Sequence, residues 1–175
     1  RKMLCATVYL FLSRHIPSLD QLARNERGLV ARVVFASCWI QFRDRGNLDH
    51  IGRQALLAAK VETAKPSWMS DDEYAAFEGE LDRLLFRELG DAEAFARAYI
   101  EPGLMGPREG HSHVWWLSNK EALAHLRSTL SIEWLRAYPA MPVSAREALF
   151  KLAASSADRA ALVDLQRAGK CVERR

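Results

Sequence analysis

Cysteine is scarce in this chain, and a long apolar run is missing. Cys5, Cys38 and Cys171 are the three cysteines among 175 residues, and no two of them form a Cys-x-x-Cys pair. This spacing excludes a disulfide framework and a cysteine-rich zinc site, and it favours a reducing cytoplasm. The longest apolar run, residues 3–12, is shorter than the ~20 residues of a membrane span. We therefore expect a buried core helix there and no membrane segment.

An excess of charge of one sign is also missing. The chain has 25 Lys and Arg against 22 Asp and Glu, a formal net charge of +3, which does not by itself predict a polyanionic partner. Hydrophobic residues make up 49% and charged residues 27%, as in ordinary globular proteins. The chain begins with Arg1 instead of Met. We expect a single domain, residues 1–175, excised from a longer protein, with a possible subdivision near residues 101–113.

Helix-start signals are what the chain does contain. A serine followed three residues later by Glu or Gln is the pattern of a capping box, in which the serine oxygen accepts a backbone N–H of the first helical turn. The pattern occurs at Ser18/Gln21, Ser70/Glu73, Ser118/Glu121 and Ser144/Glu147. Apolar residues at three- and four-residue steps follow most of these boxes, as in amphipathic helices. The sequence therefore predicts an all-α fold of about eight helices.

Two of these boxes predict antiparallel helical hairpins. Ser70 begins a helix that Gly90 is expected to end, and Asp91 is expected to cap the next helix at once. Ser144 begins a second hairpin, whose second helix is expected over residues 157–168. Further helices are predicted from Ser18, over residues 29–42 and 48–63, and from Ser118.

Short paired helices, small residues at their contacts and tight turns resemble HEAT-like α-solenoid repeats over roughly the last hundred residues. The Leu- and Trp-rich stretch 115–138 resembles helical arrays that accompany bacterial signalling NTPases of the STAND or NACHT type. This resemblance implies hairpins stacked as a short α-solenoid or an irregular helical bundle. It also implies that ATP-binding residues lie elsewhere in the parent protein, because the chain contains no Gly-x-x-x-x-Gly-Lys-Ser/Thr motif.

Two kinds of chemistry remain as alternatives to a purely structural role. His111 and His113 lie in a stretch rich in Gly and Pro, and imidazole is a normal Zn²⁺ ligand, so a metal-dependent enzyme is the first alternative. A basic helical face could follow phosphates, so a nucleic-acid-binding helical domain is the second. Its residues would be Arg24, Arg27, Arg32, Arg43, Arg45 and Arg53, although acidic residues are interleaved with them.

The sequence contains no anchor for nucleophilic catalysis, and we predict no catalytic residue and no cofactor. No Gly-x-Ser-x-Gly elbow is present. Cys38 lies among apolar residues, where burial raises the pKa of a thiol and makes it inert. The pattern is therefore typical of a non-enzymatic module.

Trp115 and Trp116 form the apolar cluster of greatest interest. Two interpretations remain open: the pair fills the core beside the 101–113 stretch, or it anchors a partner, since Trp is enriched at interface hot spots. We predict a helical-repeat interaction or scaffold module of a bacterial, cytoplasmic protein. Its expected partners are proteins, either neighbouring domains of its parent chain or another chain.

Overall fold

The computed structural model describes residues 16–24, 28–62, 66–105 and 113–156, and all regular structure in these ranges is helical. Its eight α-helices are α1 (Leu19–Ala23), α2 (Gly28–Arg45), α3 (Arg53–Lys60), α4 (Asp71–Leu85), α5 (Leu89–Tyr99), α6 (Val114–Asn119), α7 (Arg127–Ala137) and α8 (Val143–Ser156). Two 3₁₀ helices, Glu101–Leu104 and Glu121–Leu126, lie on either side of α6. The predicted all-α fold is confirmed.

The chain divides into two compact units, Arg1–Asp91 and Ala92–Arg175. This division falls inside α5, ahead of the stretch 101–113 where the sequence suggested a possible subdivision. The helices predicted over residues 3–12 and 157–168 lie outside the described residues.

In the first unit, α3 packs against α1, α2 and α4. Ala55, Ala58 and Ala59 are buried on α3, and their methyl side chains allow neighbouring helix axes to come close. Ala58 and Ala59 lie three and four positions after Ala55, so the three residues share one side of the helix. The helix itself begins at Arg53 and is shorter than the predicted 48–63.

Phe77 of α4 lies at the centre of an aromatic cluster in this unit. It is fully buried, and its ring centroid lies 5.2 Å from that of Phe35, 5.6 Å from Trp39 and 5.7 Å from Phe42. The three partners all belong to α2, at steps of four and three residues, and so share one helix face. This explains why the apolar run 29–42 forms a helix although its Val and aromatic content also suits a strand.

Hydrogen bonds join the turn after α2 to α4. Gly46 has a φ of 76°, a left-handed conformation that favours glycine. Glu80 accepts the backbone N–H of Leu48 at 3.0 Å, and Arg83 donates hydrogen bonds to both Glu80 and Asp49. The bonds from Arg83, together with that from Leu48, hold the pKa of the Glu80 carboxyl below its usual value. Because this turn buries Leu48, α3 begins later than predicted.

Two of the four predicted capping boxes are present. Ser18 accepts the N–H of Gln21 at 3.3 Å, and the Gln21 side chain accepts the N–H of Ser18 at 3.1 Å. Ser70 accepts the N–H of Glu73 at 3.2 Å, and the Glu73 carboxylate accepts the N–H of Ser70 at 2.9 Å. Both pairs satisfy N–H groups that have no partner within the helix.

The capping role predicted for Ser118 is wrong, and so is the helix start at Ser144. Ser118 lies inside α6, where its hydroxyl donates to the carbonyl of Val114 at 3.2 Å. Val114, Trp116 and Leu117 precede Ser118 and are buried in the core, so the helix forms ahead of the serine. Helix α8 begins at Val143, which places Ser144 in its first turn instead of before it.

Both helices of the predicted first hairpin are present as α4 and α5, but the turn between them differs from the prediction. The first helix ends at Leu85, and Gly90 lies inside α5 instead of ending α4. Asp91 does not cap α5 from outside. Its carboxylate accepts the N–H of Glu88 at 3.1 Å, the role that the third residue of a capping box takes, and this bond lowers the pKa of the Asp91 carboxyl.

In the second unit, α7 and α8 form a packed pair. Leu130 and Trp134 of α7 are buried, as are Leu149 and the small residues on the same face of α8. The prolines between the two helices end α7 at Ala137, as expected. The connection between them is short, residues 138–142.

An ion-pair network also ties α5 to α7 within this unit. Arg97 donates two parallel hydrogen bonds to Glu133, at 2.7 and 2.8 Å, and a third to Glu93. This bidentate geometry is the strong form of the Arg–carboxylate pair. It lowers the pKa of the Glu133 carboxyl and raises that of the Arg97 guanidinium.

The Ser70 capping box leads to a measurable expectation. Ser70→Ala should lower the free energy of unfolding by about 0.5–2 kcal/mol, because the N–H of Glu73 loses its acceptor. Ser70→Asp should retain most of the stability, since Asp caps helices as well as Ser does. Urea denaturation of the three proteins at one pH measures both effects. Equal unfolding midpoints for Ser70→Ala and wild type would contradict the capping role.

Candidate functional site

Residues of α5 and α6 build an aromatic cluster in the second unit. The ring of Trp116 lies 5.5 Å from Phe95 and 5.8 Å from Tyr99, and Phe95 stacks on Tyr99 at 5.5 Å. The imidazole of His113 stacks on the ring of Tyr99, with the two ring centroids 4.2 Å apart. Ring stacking in this geometry fixes the N-terminal end of α6 against α5.

The two adjacent tryptophans differ in burial. Trp116 is 2% exposed and belongs to the aromatic cluster, whereas Trp115 is 49% exposed. Successive residues of a helix point about 100° apart, so only one of the pair can face the core. The two interpretations of the sequence thus apply to different residues: Trp116 is a core residue, and Trp115 presents half of its surface to solvent.

Trp115 is held in place by its neighbours. Its ring lies perpendicular to that of Trp116, with centroids 6.4 Å apart. The ammonium of Lys120 lies 5.6 Å from the Trp115 ring and 5.2 Å from the Trp116 ring, within cation–π range of both. One side of the Trp115 indole therefore contacts Trp116 and Lys120, and the other side is accessible to solvent.

Arg127 fixes the end of the helix that carries these tryptophans. Its guanidinium donates to the carbonyl of Leu117 at 3.0 Å and to that of Lys120 at 3.3 Å. These carbonyls belong to the C-terminal end of α6, where a cation also interacts favourably with the helix dipole. The short helix thus has a defined end, which keeps Lys120 beside the two rings.

A groove between α6 and α8 adjoins this surface. Ser118 lines it from α6, three residues after Trp115 and so on the same side of that helix. Leu152 and Ala148 provide apolar surface from α8, and Glu147 and Lys151 add one charge of each sign. We call Trp115, Lys120 and this groove the Trp115 surface.

The structure assigns His113 to packing. Its ring stacks on Tyr99, while His111 lies outside the described residues. Among the residues that the structure describes, no three His, Cys, Asp or Glu side chains come together to hold a metal ion. The metal alternative therefore has no site in the described ranges.

Three arginines of the proposed basic face each form an ion pair with a carboxylate. Arg24 pairs with Asp20 at 3.1 Å and Arg32 with Glu62 at 3.3 Å. Arg53 pairs with Asp91 at 2.8 Å. Arg43 and Arg45 lie exposed near the end of α2, and Arg27 falls outside the described ranges. Asp20 is one of the acids interleaved with the arginines in the sequence, whereas Glu62 and Asp91 come from farther along the chain. These ion pairs lower the positive potential that a phosphate would meet.

The thiol of Cys38 is fully buried and free. Burial raises its pKa to about 12, so it is protonated at neutral pH. The predicted burial of Cys38 is confirmed.

A buried ion cluster in the first unit is the charged feature that the sequence analysis missed. Lys60, the last residue of α3, has a side chain only 1% exposed, and its ammonium lies 3.0 Å from Glu78 and 2.6 Å from Asp82. The two acids stand one turn apart on α4. Glu78 and Asp82 lie 18 and 22 positions after Lys60 in the sequence. A pattern of neighbouring residues therefore could not predict this contact.

No helix within the described ranges has the length and apolarity needed to cross a membrane. No protein-family model, curated protein or solved structure matches the chain.

Proposed function

We propose that this chain is a non-enzymatic helical module that binds protein through the Trp115 surface. The half-exposed Trp115, beside the buried Trp116, is the observation that carries the proposal. Tryptophan is among the residues that most often dominate binding energy at interfaces. Because Lys120 and Trp116 already restrain the indole, binding orders little that was free before, which favours affinity.

The groove beside Trp115 suits a peptide segment of a partner. Its apolar floor can cover small or branched side chains, and Ser118 and the charged pair of α8 can accept or donate hydrogen bonds at its rim. A hydrophobic centre with a polar rim is the usual anatomy of a protein interface. We propose a protein partner, either a neighbouring domain of the parent chain or a separate chain.

The parent protein is also part of the proposal. The all-helical fold and the packed pair formed by α7 and α8 support placement among HEAT-like helical repeats of a larger bacterial protein, such as a STAND- or NACHT-type NTPase whose nucleotide site lies outside this segment. The free, buried thiol of Cys38 supports a reducing cytoplasm as its location.

Replacing Trp115 tests the proposed function. Partners isolated from the source cells on immobilised wild-type protein should be purified and their affinity measured by calorimetry. Trp115→Ala should weaken binding by about 30-fold or more, as expected for a hot-spot residue worth 2 kcal/mol. Trp68→Ala removes an indole that is 58% exposed in the other unit and serves as the matched control.

Three outcomes would contradict the proposal. Trp115→Ala could bind the purified partner as tightly as wild type. The chain could instead bind DNA or RNA with an affinity that falls steeply with salt, which would support the nucleic-acid alternative. About one equivalent of zinc, lost on replacing His111 and His113 by Ala, would support the metal-dependent enzyme.

A further inference from the structure

The Lys60 cluster places a fixed positive charge between two helices. The ammonium of Lys60 is shielded from solvent, whereas the side chains of Glu78 and Asp82 are 25% and 31% exposed. Protons from water can therefore reach the two carboxylates directly. The cluster closes the contact between the end of α3 and the middle of α4, and these two helices pack together.

We infer that Lys60, Glu78 and Asp82 form an acid-sensitive latch that holds α3 against α4. Above about pH 4, the ordinary range of carboxyl groups, the two acids are charged and compensate the buried ammonium. Below that range carboxyl groups are neutral, whereas ammonium groups are charged. A buried ammonium without a counter-charge is strongly unfavourable. Hydration of Lys60 relieves it, and that requires the end of α3 to leave α4.

The charged groups around the latch do not replace the lost carboxylates. Glu62 follows α3 and pairs with Arg32 of α2, and on α1 Asp20 pairs with Arg24. Both acids are therefore already engaged by arginines. Stability from the latch is thus present at neutral pH and lost as the pH falls.

Tyr74 is the remaining titratable group of α4 near the cluster. Burial, reinforced by the negative charges of Glu78, Glu62 and Asp82, raises its pKa to about 12. Tyr74 is therefore uncharged throughout the acid range and takes no part in the transition.

A pH titration of three proteins tests the latch. The ¹H–¹⁵N cross-peaks of α3 and α4 are followed from pH 7 to pH 2 in wild type, Lys60→Met and Lys151→Met. Lys60→Met keeps the apolar stem and removes the buried charge, so its native peaks should persist to a pH about one unit lower than in wild type. Lys151→Met makes the same change in net charge at an exposed position of α8 and should leave the midpoint unchanged.

The latch would be contradicted if wild type and Lys60→Met lost their native cross-peaks at the same pH. A second variant keeps the test decisive if Lys60→Met does not fold. Glu78→Gln with Asp82→Asn removes both counter-charges, and its α3–α4 peaks should already be weakened at pH 7 and change little between pH 5 and pH 3. The latch would also be contradicted if this double variant showed native peaks at pH 7 and lost them at the same pH as wild type.

Discussion

Phe77→Ala should lower the free energy of unfolding by about 3–5 kcal/mol, a large share of the 5–15 kcal/mol typical of a whole domain. Phe77 is fully buried and contacts the rings of Phe35, Trp39 and Phe42. Its removal takes away both the buried apolar area and the edge-to-face contacts, and it leaves a cavity that rigid neighbouring rings cannot fill. Urea denaturation followed by far-UV circular dichroism measures the loss.

Two further variants separate the cavity from a general sensitivity of the chain. Phe77→Leu keeps much of the volume and should be clearly less destabilising than Phe77→Ala. Phe150→Ala removes a partly exposed phenylalanine from α8 and should cost at most about 1 kcal/mol. If Phe150→Ala destabilised the protein as much as Phe77→Ala, the aromatic cluster would not be the centre of the first unit's core.

The second large effect is an asymmetry within the Lys60 cluster at neutral pH. Replacing Glu78 by Gln together with Asp82 by Asn should destabilise the protein by about 3–5 kcal/mol, because a buried ammonium is left without its partners. Lys60→Met should be nearly neutral, since the methionine stem fills the same apolar space and the two partly exposed acids can be hydrated. Chemical denaturation at pH 7 gives both values.

The single replacements provide the control for this asymmetry. Glu78→Gln alone should cost less than the double change, because Asp82 still lies 2.6 Å from the ammonium. Lys60→Met could instead destabilise the protein as strongly as the double change. The stability would then come from the ion pairs themselves, and the loss in the double change would not come from an uncompensated charge. Such a result would also remove the basis of the latch.

Local sequence patterns predicted the helices and some of their ends. The capping boxes at Ser18 and Ser70 formed because their hydrogen bonds join residues only three positions apart. The helical class of the run 29–42 was predicted from its length and from the absence of a period-2 alternation. Ser118 carries the same pattern but lies within a helix, since packing of the residues before it outweighs one cap. A cap contributes about 1 kcal/mol, and a buried aromatic residue contributes more.

The candidate site was only half predictable. The sequence singled out Trp115 and Trp116 as a pair, but the side of α6 that faces the core depends on the position of Phe95 and Tyr99 in α5. Periodicity states which residues share a helix face and does not state which face another helix will cover. Tertiary packing therefore decided that Trp115 is the exposed member of the pair.

The sequence by itself determined that this protein is all-helical, where most of its helices lie and which residues share each face. Only the tertiary structure decided that Lys60 is buried between two acids of α4 and that Trp115 remains half-exposed. The physical reason is the distance along the sequence between the residues that interact. Caps and apolar stripes depend on neighbours within about four residues, whereas burial depends on which distant helices meet.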